Sequence, residues 1–369
     1  MADKTYRILV INPGSTSTKV GVFDGETEVF TKNVAHEASK LAEFATVSDQ
    51  MPYRRDMIIS ALEENGVALE SIDAFVGRGG GLLSVEGGTY VVNDVLLDHA
   101  YRGANGIQHP AQLGSQLANE FAAKVAKPAF VVNPPDTDEF CDFARVTGIK
   151  GVYRNSHLHA LNLKETAIRH AHKMGRRYDE CNFIVCHIGG GISISAHCQG
   201  KMIDGYDIVQ GEGTMAPTRC GAVPVSGILD YLEAGHTIKD ARALCMKTGG
   251  FVDLLGTSDA LDVSNRAAAG DPAAARVWGA MLYQINKYIG SMSTVLKGKV
   301  DGILLGGGMV HNKDLVASIE EGCGWIAPVS AYPGEFELEA MAAGAIRVLD
   351  GEEEAKSYTG VPVFQGFCD

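Results

Sequence analysis

Two short segments place glycine and small hydroxyl side chains directly after a mostly apolar run, a composition suited to binding an oxyanion. The first follows Ile8–Ile11 and reads Asn-Pro-Gly-Ser-Thr-Ser-Thr-Lys over residues 12–19. The second follows residues 183–188 and begins with three glycines at 189–191. Backbone N–H groups and hydroxyls in such loops can surround a phosphate. An ordinary hairpin with a polar tip is the alternative for either segment taken alone.

The two segments occupy equivalent places in a larger pattern. Gly14 and Gly189 are 175 positions apart, and so are Gly25 and Gly200, which belong to the turn that follows each segment. A third apolar run, within 301–309, ends in three glycines. Two phosphate hairpins in similar halves, with a later glycine turn, predict an α/β fold of two similar actin-like (ribonuclease H-like) domains with a nucleotide cleft between them.

The candidate nucleotide-binding residues are those of the glycine segments and their flanks. They are Asn12, Gly14, Ser15, Ser17, Lys19, His187, Gly189, Gly190, Gly191, Gly306, Gly307 and Gly308. A side chain at Gly190 is expected to obstruct the approach of backbone N–H groups to phosphate. Lys19 could equally lay its stem across the sheet, and His187 could simply anchor the second loop.

Length and charge restrict the class of protein. A chain of 369 residues with 46% hydrophobic content suits two globular domains. Its net charge of −13 argues against nucleic acid or an anionic membrane as a main partner. The eight cysteines form no C-x-x-C pair, so idle thiols are expected rather than zinc ligands or disulfides. The start lacks the apolar core of a signal peptide and no run of about 18 apolar residues occurs, so a cytoplasmic enzyme is expected.

Hydrophobic periodicity predicts alternating strands and helices, as in α/β proteins. The predicted elements are strands over 7–35, 73–76, 129–132 and 182–207, and helices over 57–65, 110–125, 156–174, 226–247, 272–296 and 335–349. We expect a first domain at 1–150, a second at 151–334, and a final helix, about 335–349, that returns to the first domain.

Several motifs together resemble the acetate and butyrate kinase family of short-chain carboxylic acid kinases, and residues 12–19 resemble the first signature of its butyrate kinases. The resemblance extends from residue 7 to about residue 358. The other motifs that carry it are Val76–Gly81, His109 in its HPAQLG segment, His159–Asn162, His187–Gly191, Gly211–Gly213, Arg219–Gly221 and Tyr332–Glu335.

The resemblance implies an activity and its cofactors. The chain would transfer the γ-phosphoryl group of ATP to a short-chain carboxylate, reversibly, with ADP and an acyl phosphate as products and Mg²⁺ as cofactor. Butanoate is the expected acid, and acetate, propionate or a branched acid are alternatives. A homodimer or an assembly of dimers is implied as well. A non-catalytic actin-like nucleotide switch is the alternative from another class.

This chemistry brings two anions together, so it needs cations at the acid and at the moving phosphoryl group. Arg78 and Arg219 each lie in a glycine-rich segment, and a guanidinium can bind a carboxylate or a phosphoryl group through paired hydrogen bonds. A surface salt bridge is the alternative for each of them. The resemblance further implies that His109 and His159 donate hydrogen bonds in the transition state.

The metal side of the predicted site departs from the family pattern. Asn133 stands where the family has an aspartate that serves Mg²⁺ and in-line transfer, and it brings no negative charge. Asp136 and Asp138 lie just beyond and could substitute for it. Glu337 matches the family's metal residue, with Glu335 or Glu339 as alternatives.

Overall fold

The computed structural model describes residues 5–367, which form two compact units. The first unit comprises the chain up to Asp138 and from Phe336 onward, and the second comprises Glu139–Glu335. The first unit therefore ends before the predicted boundary at residue 150, and the C-terminal segment belongs to it.

Twelve strands occur among the described residues. They are β1 (Arg7–Pro13), β2 (Ser17–Asp24), β3 (Thr27–Ala35), β4 (Ala74–Gly77), β5 (Thr89–Val91), β6 (Ala129–Val132), β7 (Asn182–Ile188), β8 (Ile192–Cys198), β9 (Lys201–Asp204), β10 (Gly302–Gly307), β11 (Val329–Pro333) and β12 (Lys356–Ser357).

Thirteen α-helices occur in the same part of the chain. They are α1 (Ala38–Leu41), α2 (Met51–Glu64), α3 (Asp94–Arg102), α4 (Leu113–Val125), α5 (Asp142–Arg145), α6 (Ala160–Lys173), α7 (Val225–Glu233), α8 (Ile238–Ala243), α9 (Phe251–Leu255), α10 (Ala260–Ala268), α11 (Pro272–Val295), α12 (Lys313–Cys323) and α13 (Glu337–Leu349).

The first unit is built on a seven-stranded sheet with the order β12-β5-β6-β4-β1-β2-β3. Strands β1, β4 and β6 are parallel neighbours, whereas β1, β2 and β3 form an antiparallel meander. Ile8–Ile11 are all fully buried, as expected for parallel strands covered on both faces. Helices α2 and α4 contribute to the core that contains Leu9 and Ile11, and α13 also contacts the sheet.

The second unit repeats this arrangement around a five-stranded sheet with the order β11-β10-β7-β8-β9. Strands β7, β10 and β11 are parallel, and β7, β8 and β9 form the antiparallel meander. Strand β7 begins and ends 175 positions after β1, the offset found in the sequence. The duplication inferred from the glycine segments is therefore present in the strands themselves, and the actin-like α/β prediction is confirmed.

One predicted helix is wrong. The segment 226–247 forms α7, α8 and a π-helical turn at Leu244–Thr248 instead of a single helix. Gly235 adopts φ 101° and ends the first helix, because that conformation cannot continue a right-handed helix. Thr237 then caps α8, and its side chain accepts a hydrogen bond from the Asp240 N–H.

A close approach of two glycines positions Arg78 at the end of β4. A Cβ atom on Gly77 would lie 2.0 Å from the Gly114 carbonyl oxygen, and one on Gly114 would lie 2.3 Å from the Arg78 carbonyl oxygen. The start of α4 can therefore pack against the backbone at the end of β4 only because neither glycine has a side chain.

We predict that Gly114→Ala lowers the free energy of unfolding by roughly 1–3 kcal/mol, because the added methyl group overlaps the Arg78 backbone. Gly279→Ala is the matched control: Gly279 also lies within a helix, but its Cβ would meet nothing within 4 Å. It should raise the free energy of unfolding by about 0.5–1 kcal/mol. Urea unfolding of both variants measures the difference, and equal stability of the two would contradict the close-packing account.

Candidate active site

In the first unit, polar side chains gather at the carboxyl ends of the parallel strands. Asn12 lies near the end of β1, Arg78 directly follows β4, and Asn133 directly follows β6. Glu337, the first residue of α13, accepts a hydrogen bond from Asn12, with Nδ2 2.7 Å from Oε2. Ligands of open parallel sheets bind at this edge, so we call Asn12, Arg78, Asn133 and Glu337 the first-unit cluster.

Arg78 is the cation of this cluster. Its side chain is buried, and its Nη1 donates to the Asn133 carbonyl oxygen at 3.4 Å. Burial lowers the pKa of Arg78, while the negative charges of Glu337 and Asp136 raise it. A buried guanidinium with nearby but incomplete charge compensation is a favourable partner for an anion such as a carboxylate.

Asn133 holds the backbone beside Arg78. It adopts φ 37°, a left-handed conformation that asparagine tolerates better than most residues. Its Oδ1 accepts a hydrogen bond from the Gly88 N–H at 2.8 Å, and its own N–H donates to the Gly88 carbonyl at 3.0 Å. The amide oxygen of Asn133 is therefore used in fixing a turn.

Asp136 is a second carboxylate near Arg78. Its Oδ1 accepts from Asn105 Nδ2 at 2.6 Å, whereas its Oδ2 is buried and meets no hydrogen-bond donor within residues 5–367. Burial raises the pKa of Asp136 to about 6, against the lowering effects of the Asn105 side chain, the Leu82 backbone and the positive charge of Arg78. A cation would relieve the cost of burying this oxygen.

The first glycine hairpin joins β1 and β2 and is closed by a hydrogen bond from the Gly14 N–H to the Ser17 carbonyl at 2.7 Å. Ser15 is exposed, and the exposed Lys19 lies opposite Asn12 in the strand pair. This arrangement leaves polar groups at the tip accessible to a ligand.

Arg54, which the sequence analysis missed, supports this hairpin. It is fully buried on α2, and its Nη1 donates to the Ser17 carbonyl at 3.2 Å and to Thr18 Oγ1 at 2.9 Å. Burial lowers its pKa to about 10. A lone arginine within a helix carries no sequence signal for such a role.

His109 precedes α4 and is arranged as a neutral hydrogen-bond donor. Its Nδ1 accepts a hydrogen bond from the Ala111 N–H at 3.1 Å, which assigns the proton to Nε2. Its pKa lies below the ordinary value, chiefly because surrounding atoms reduce hydration of the ring and further because Arg78 and Arg54 are positively charged. Although the residue as a whole is exposed, the Nδ1 edge is occupied.

In the second unit, the glycine loop after β7 contacts Arg219. A Cβ on Gly191 would lie 1.7 Å from Arg219 Nη1, so the guanidinium occupies the space that a side chain would fill. Thr218 Oγ1 donates to the Gly190 carbonyl at 3.3 Å. At Gly190, by contrast, a Cβ would meet nothing within 4 Å, so the position crowded by the protein itself is Gly191 rather than Gly190.

Arg219 has unused hydrogen-bonding capacity. Its Nε and Nη1 atoms are buried, and no acceptor in the described part of the chain reaches them. Burial lowers its pKa, and the negative charge of Asp207 raises it. Asp207, also missed in the sequence analysis, is itself buried, and this raises its pKa to about 6. An anion at Arg219 would satisfy the buried donors.

His159 and His187 support the same loop. Their rings stack with centroids 4.0 Å apart, and His159 Nδ1 lies 2.8 Å from the Ser193 hydroxyl at the start of β8. His187 Nε2 lies 3.9 Å from a Glu335 carboxylate oxygen. His159 therefore contacts Ser193 of the second hairpin, and its ring packs on that of His187, at the end of β7.

The third glycine turn borders an open pocket. Gly307, with φ 98°, allows the end of β10 to approach β7, since its Cβ would lie 2.5 Å from the Ile188 carbonyl oxygen. Beside Gly308 lies a pocket of about 460 Å³, which is also lined by Ser258, Trp278 and Asn312.

The described residues contain neither a cluster of metal-ligating side chains nor a helix suited to crossing a membrane. No three histidine, cysteine, aspartate or glutamate side chains there are grouped so as to hold a metal ion. No helix in residues 5–367 has the length and apolarity needed to cross a membrane.

Comparison with known proteins places these features in a family. The profile of the Acetokinase family matches residues 150–321. A "Probable butyrate kinase" of Clostridium botulinum (strain Eklund 17B / Type B) is 42% identical over 355 residues, covering 96% of this chain and 100% of the relative.

Solved structures agree in fold. An acetate kinase from Porphyromonas gingivalis superposes with a TM-score of 0.73 at 19% identity, covering 93% of this chain and 100% of that one. A propionate kinase from Francisella tularensis subsp. tularensis superposes with a TM-score of 0.69, also at 19% identity, covering 92% and 98%.

We predict that Asn133→Ala lowers the free energy of unfolding by about 1–3 kcal/mol, because it leaves the Gly88 N–H without its acceptor and puts alanine at positive φ. Asn133→Asp keeps an acceptor oxygen at that position and should cost less. Denaturant titration of the three proteins compares them. Wild-type stability of the alanine variant would show that the Gly88 hydrogen bond contributes nothing.

Proposed function

The chain belongs to the acetokinase family, and we propose that it transfers the γ-phosphoryl group of ATP reversibly to a short-chain carboxylate, with butanoate as the preferred acid. The curated relative named as a butyrate kinase, aligned over nearly the whole chain, supports this choice of acid. The single structural observation that carries the proposal is the pair of buried, unused donors on Arg219 beside the glycine loop.

The reaction requires charge compensation rather than a base. A carboxylate oxygen attacks the γ-phosphorus, the bond from phosphorus to the β,γ-bridging oxygen breaks, and ADP leaves with those electrons. No proton is transferred, because the acid reacts as its anion. Positioning and electrostatic stabilisation therefore provide the catalysis, which agrees with candidate residues that are arginines, a neutral histidine and glycine-loop amides.

We assign the nucleotide to the glycine segments. In this proposal Arg219 and the N–H groups of Gly190 and Gly191 bind phosphates, whereas the Gly189 N–H donates to the Gly191 carbonyl within the loop. The pocket beside Gly308 accepts the nucleoside. Its volume of about 460 Å³ and its Trp278 and Asn312 lining suit an aromatic base with polar edges. His159 and His187 act by holding the second hairpin in shape.

We assign the acid to the first-unit cluster. Arg78 binds the carboxylate, and His109 Nε2–H supplies a hydrogen bond to an oxygen of the transferring group. The low pKa of His109 keeps it neutral at physiological pH, so its contribution as a donor does not depend on protonation in that range.

The residues present also fit Mg²⁺ bound mainly through the nucleotide. Mg²⁺ commonly uses one or two protein carboxylates and keeps several waters. Glu337 and Asp136, both close enough to Arg78 to raise its pKa, are the carboxylates that would hold Mg²⁺. When bound, Mg²⁺ neutralises charge on the phosphate oxygens. Asn133, whose Oδ1 is bound to Gly88, adds no charge to this set.

The reaction itself is tested by trapping the acyl phosphate as a hydroxamate with hydroxylamine. We predict product from ATP, Mg²⁺ and acid, with kcat/KM highest for butanoate in a panel that also contains acetate, propanoate and 2-methylpropanoate. A preference for acetate or propanoate would change the assigned acid. No hydroxamate with any acid, despite nucleotide binding, would favour the non-catalytic switch.

For the acid side, we predict that Arg78→Ala lowers turnover on the order of 1000-fold and changes ADP affinity little, because Arg78 binds the substrate carboxylate rather than the nucleotide. Arg102→Ala, which removes an exposed arginine paired with Asp98 in the same unit, is the control and should leave turnover unchanged. Hydroxamate kinetics and calorimetry give the two readouts. Undiminished turnover in Arg78→Ala would refute the role of Arg78.

For the nucleotide side, we predict that Gly191→Ala weakens ADP binding about tenfold or more, since the methyl group must displace the Arg219 guanidinium. Gly190→Ala, whose methyl meets no protein atom within 4 Å, should have a smaller effect. Calorimetric titration with ADP ranks the variants. A larger loss at Gly190 would mean that loop amides, not Arg219, dominate phosphate binding.

A further inference from the structure

The residue after Arg219 is one half of a pair of thiols. Cys220 follows the arginine directly, and Cys245 lies in the π-helical turn after α8. The Cys220 N–H donates to the carbonyl of Leu244, the neighbour of Cys245, at 3.0 Å. This bond connects the two backbone segments that carry the sulfur atoms.

The two side chains are neighbours as well. Their interaction shifts the pKa of the two thiols in opposite directions. Each also donates to a local carbonyl, Cys220 Sγ to Gly221 at 3.3 Å and Cys245 Sγ to Ala241 at 3.5 Å. Both residues are partly exposed, and neither is in a disulfide.

Cys245 is the more reactive of the two. Interaction with the Cys220 thiol lowers the pKa of Cys245 to about 7, and Arg242 lowers it further, against the effect of partial burial. The same interaction raises the pKa of Cys220. The thiolate is the attacking form in disulfide chemistry. By contrast, burial raises the pKa of Cys323 to about 11, which keeps that thiol protonated.

We propose that Cys220 and Cys245 form a reversible disulfide with low-molecular-weight disulfides as the oxidant, and that this bond weakens nucleotide binding by moving Arg219. The effect on nucleotide binding rests on the proposed function, in which Arg219 holds phosphate. Formation of the Cys220–Cys245 disulfide is independent of the proposed function.

The chemistry balances in two exchange steps. The Cys245 thiolate attacks one sulfur of the small disulfide, which forms a mixed disulfide and releases one small thiolate. The Cys220 thiol then loses its proton and attacks the Cys245 sulfur, which releases the second small thiolate. The protein dithiol is oxidised by two electrons, and one small disulfide is reduced to two thiols.

A displacement of Cys220 must move Arg219, because the backbone around these two residues is tightly packed. Arg219 and Ala216 exchange two backbone hydrogen bonds, at 3.0 and 3.2 Å. A Cβ on Gly249 would lie 2.6 Å from the Cys220 nitrogen, and one on Gly250 would lie 1.8 Å from the Ala216 carbonyl oxygen. Sulfur atoms in a disulfide are about 2.05 Å apart, closer than the sulfur atoms of two thiols that are not bonded to each other. Closing that gap shifts Cys220, and the guanidinium beside Gly191 shifts with it.

The test uses the whole protein treated with oxidised glutathione. Non-reducing tryptic digestion should give a linked pair of peptides, residues 220–239 and 243–247, which separate on reduction. Calorimetry should show ADP affinity lowered at least tenfold after oxidation and restored by dithiothreitol. Cys245→Ser should bind ADP as the reduced protein does and lose the response. Cys198→Ser, a partly exposed cysteine elsewhere in the second unit, should keep it.

The outcomes separate this inference from the proposed function. Absence of the linked peptides, or a mixed disulfide that remains on Cys245, would overturn the inference whatever the enzyme does. Linked peptides with unchanged ADP affinity would overturn its regulatory part. If the reduced protein fails to bind ADP, the assignment of the nucleotide fails, and peptide mapping still decides whether the disulfide forms.

Discussion

The central feature of the second unit is the half-buried Arg219 guanidinium, whose Nε and Nη1 atoms are buried and have no acceptor among residues 5–367. Covering Arg219 Nε and Nη1 without hydrogen bonds costs free energy, and a bound oxyanion would recover that cost. The surrounding residues serve this arrangement: Gly191 leaves room for the guanidinium, and Asp207 supplies negative charge without contacting those two atoms. In the role that we propose for Arg219, a phosphate would meet donors that are already in place, so binding would require little reorganisation.

The first unit also contains a buried arginine, Arg78, which we propose as the partner of the carboxylate substrate. Arg78 is buried at the end of β4, where the contact between Gly77 and Gly114 holds the strand end against α4. The negative charges of Glu337 and Asp136 raise the pKa of Arg78 and so offset part of the effect of its burial. In the proposed reaction a carboxylate must approach a phosphoryl group despite their mutual repulsion, and each unit contributes one arginine, the buried Arg78 and the half-buried Arg219, to offset that repulsion.

Much of this was predictable from local sequence. The hairpins and the offset of 175 positions were found, because strands and glycine loops leave short-range patterns, and both arginines were candidates because they lie beside such loops. Arg54, Asp207 and the thiol pair were not found, since their roles arise only when distant segments pack together. The helix predicted over 226–247 failed because Gly235 and the Thr237 cap outweighed the apolar spacing. Crowding at Gly191 rather than Gly190 likewise depends on where Arg219 lies.

The most direct measurement of the central claim compares ADP with adenosine on Arg219→Met, which keeps an unbranched side chain and removes the charge. If the unused donors of Arg219 bind phosphate, calorimetry should show ADP affinity lowered about 100-fold, on the order of 3 kcal/mol, with adenosine affinity unchanged. Equal losses for both ligands would mean that the substitution disturbs the nucleoside pocket instead. Unchanged ADP affinity would contradict the account, because the buried donors would then have no part in binding phosphate.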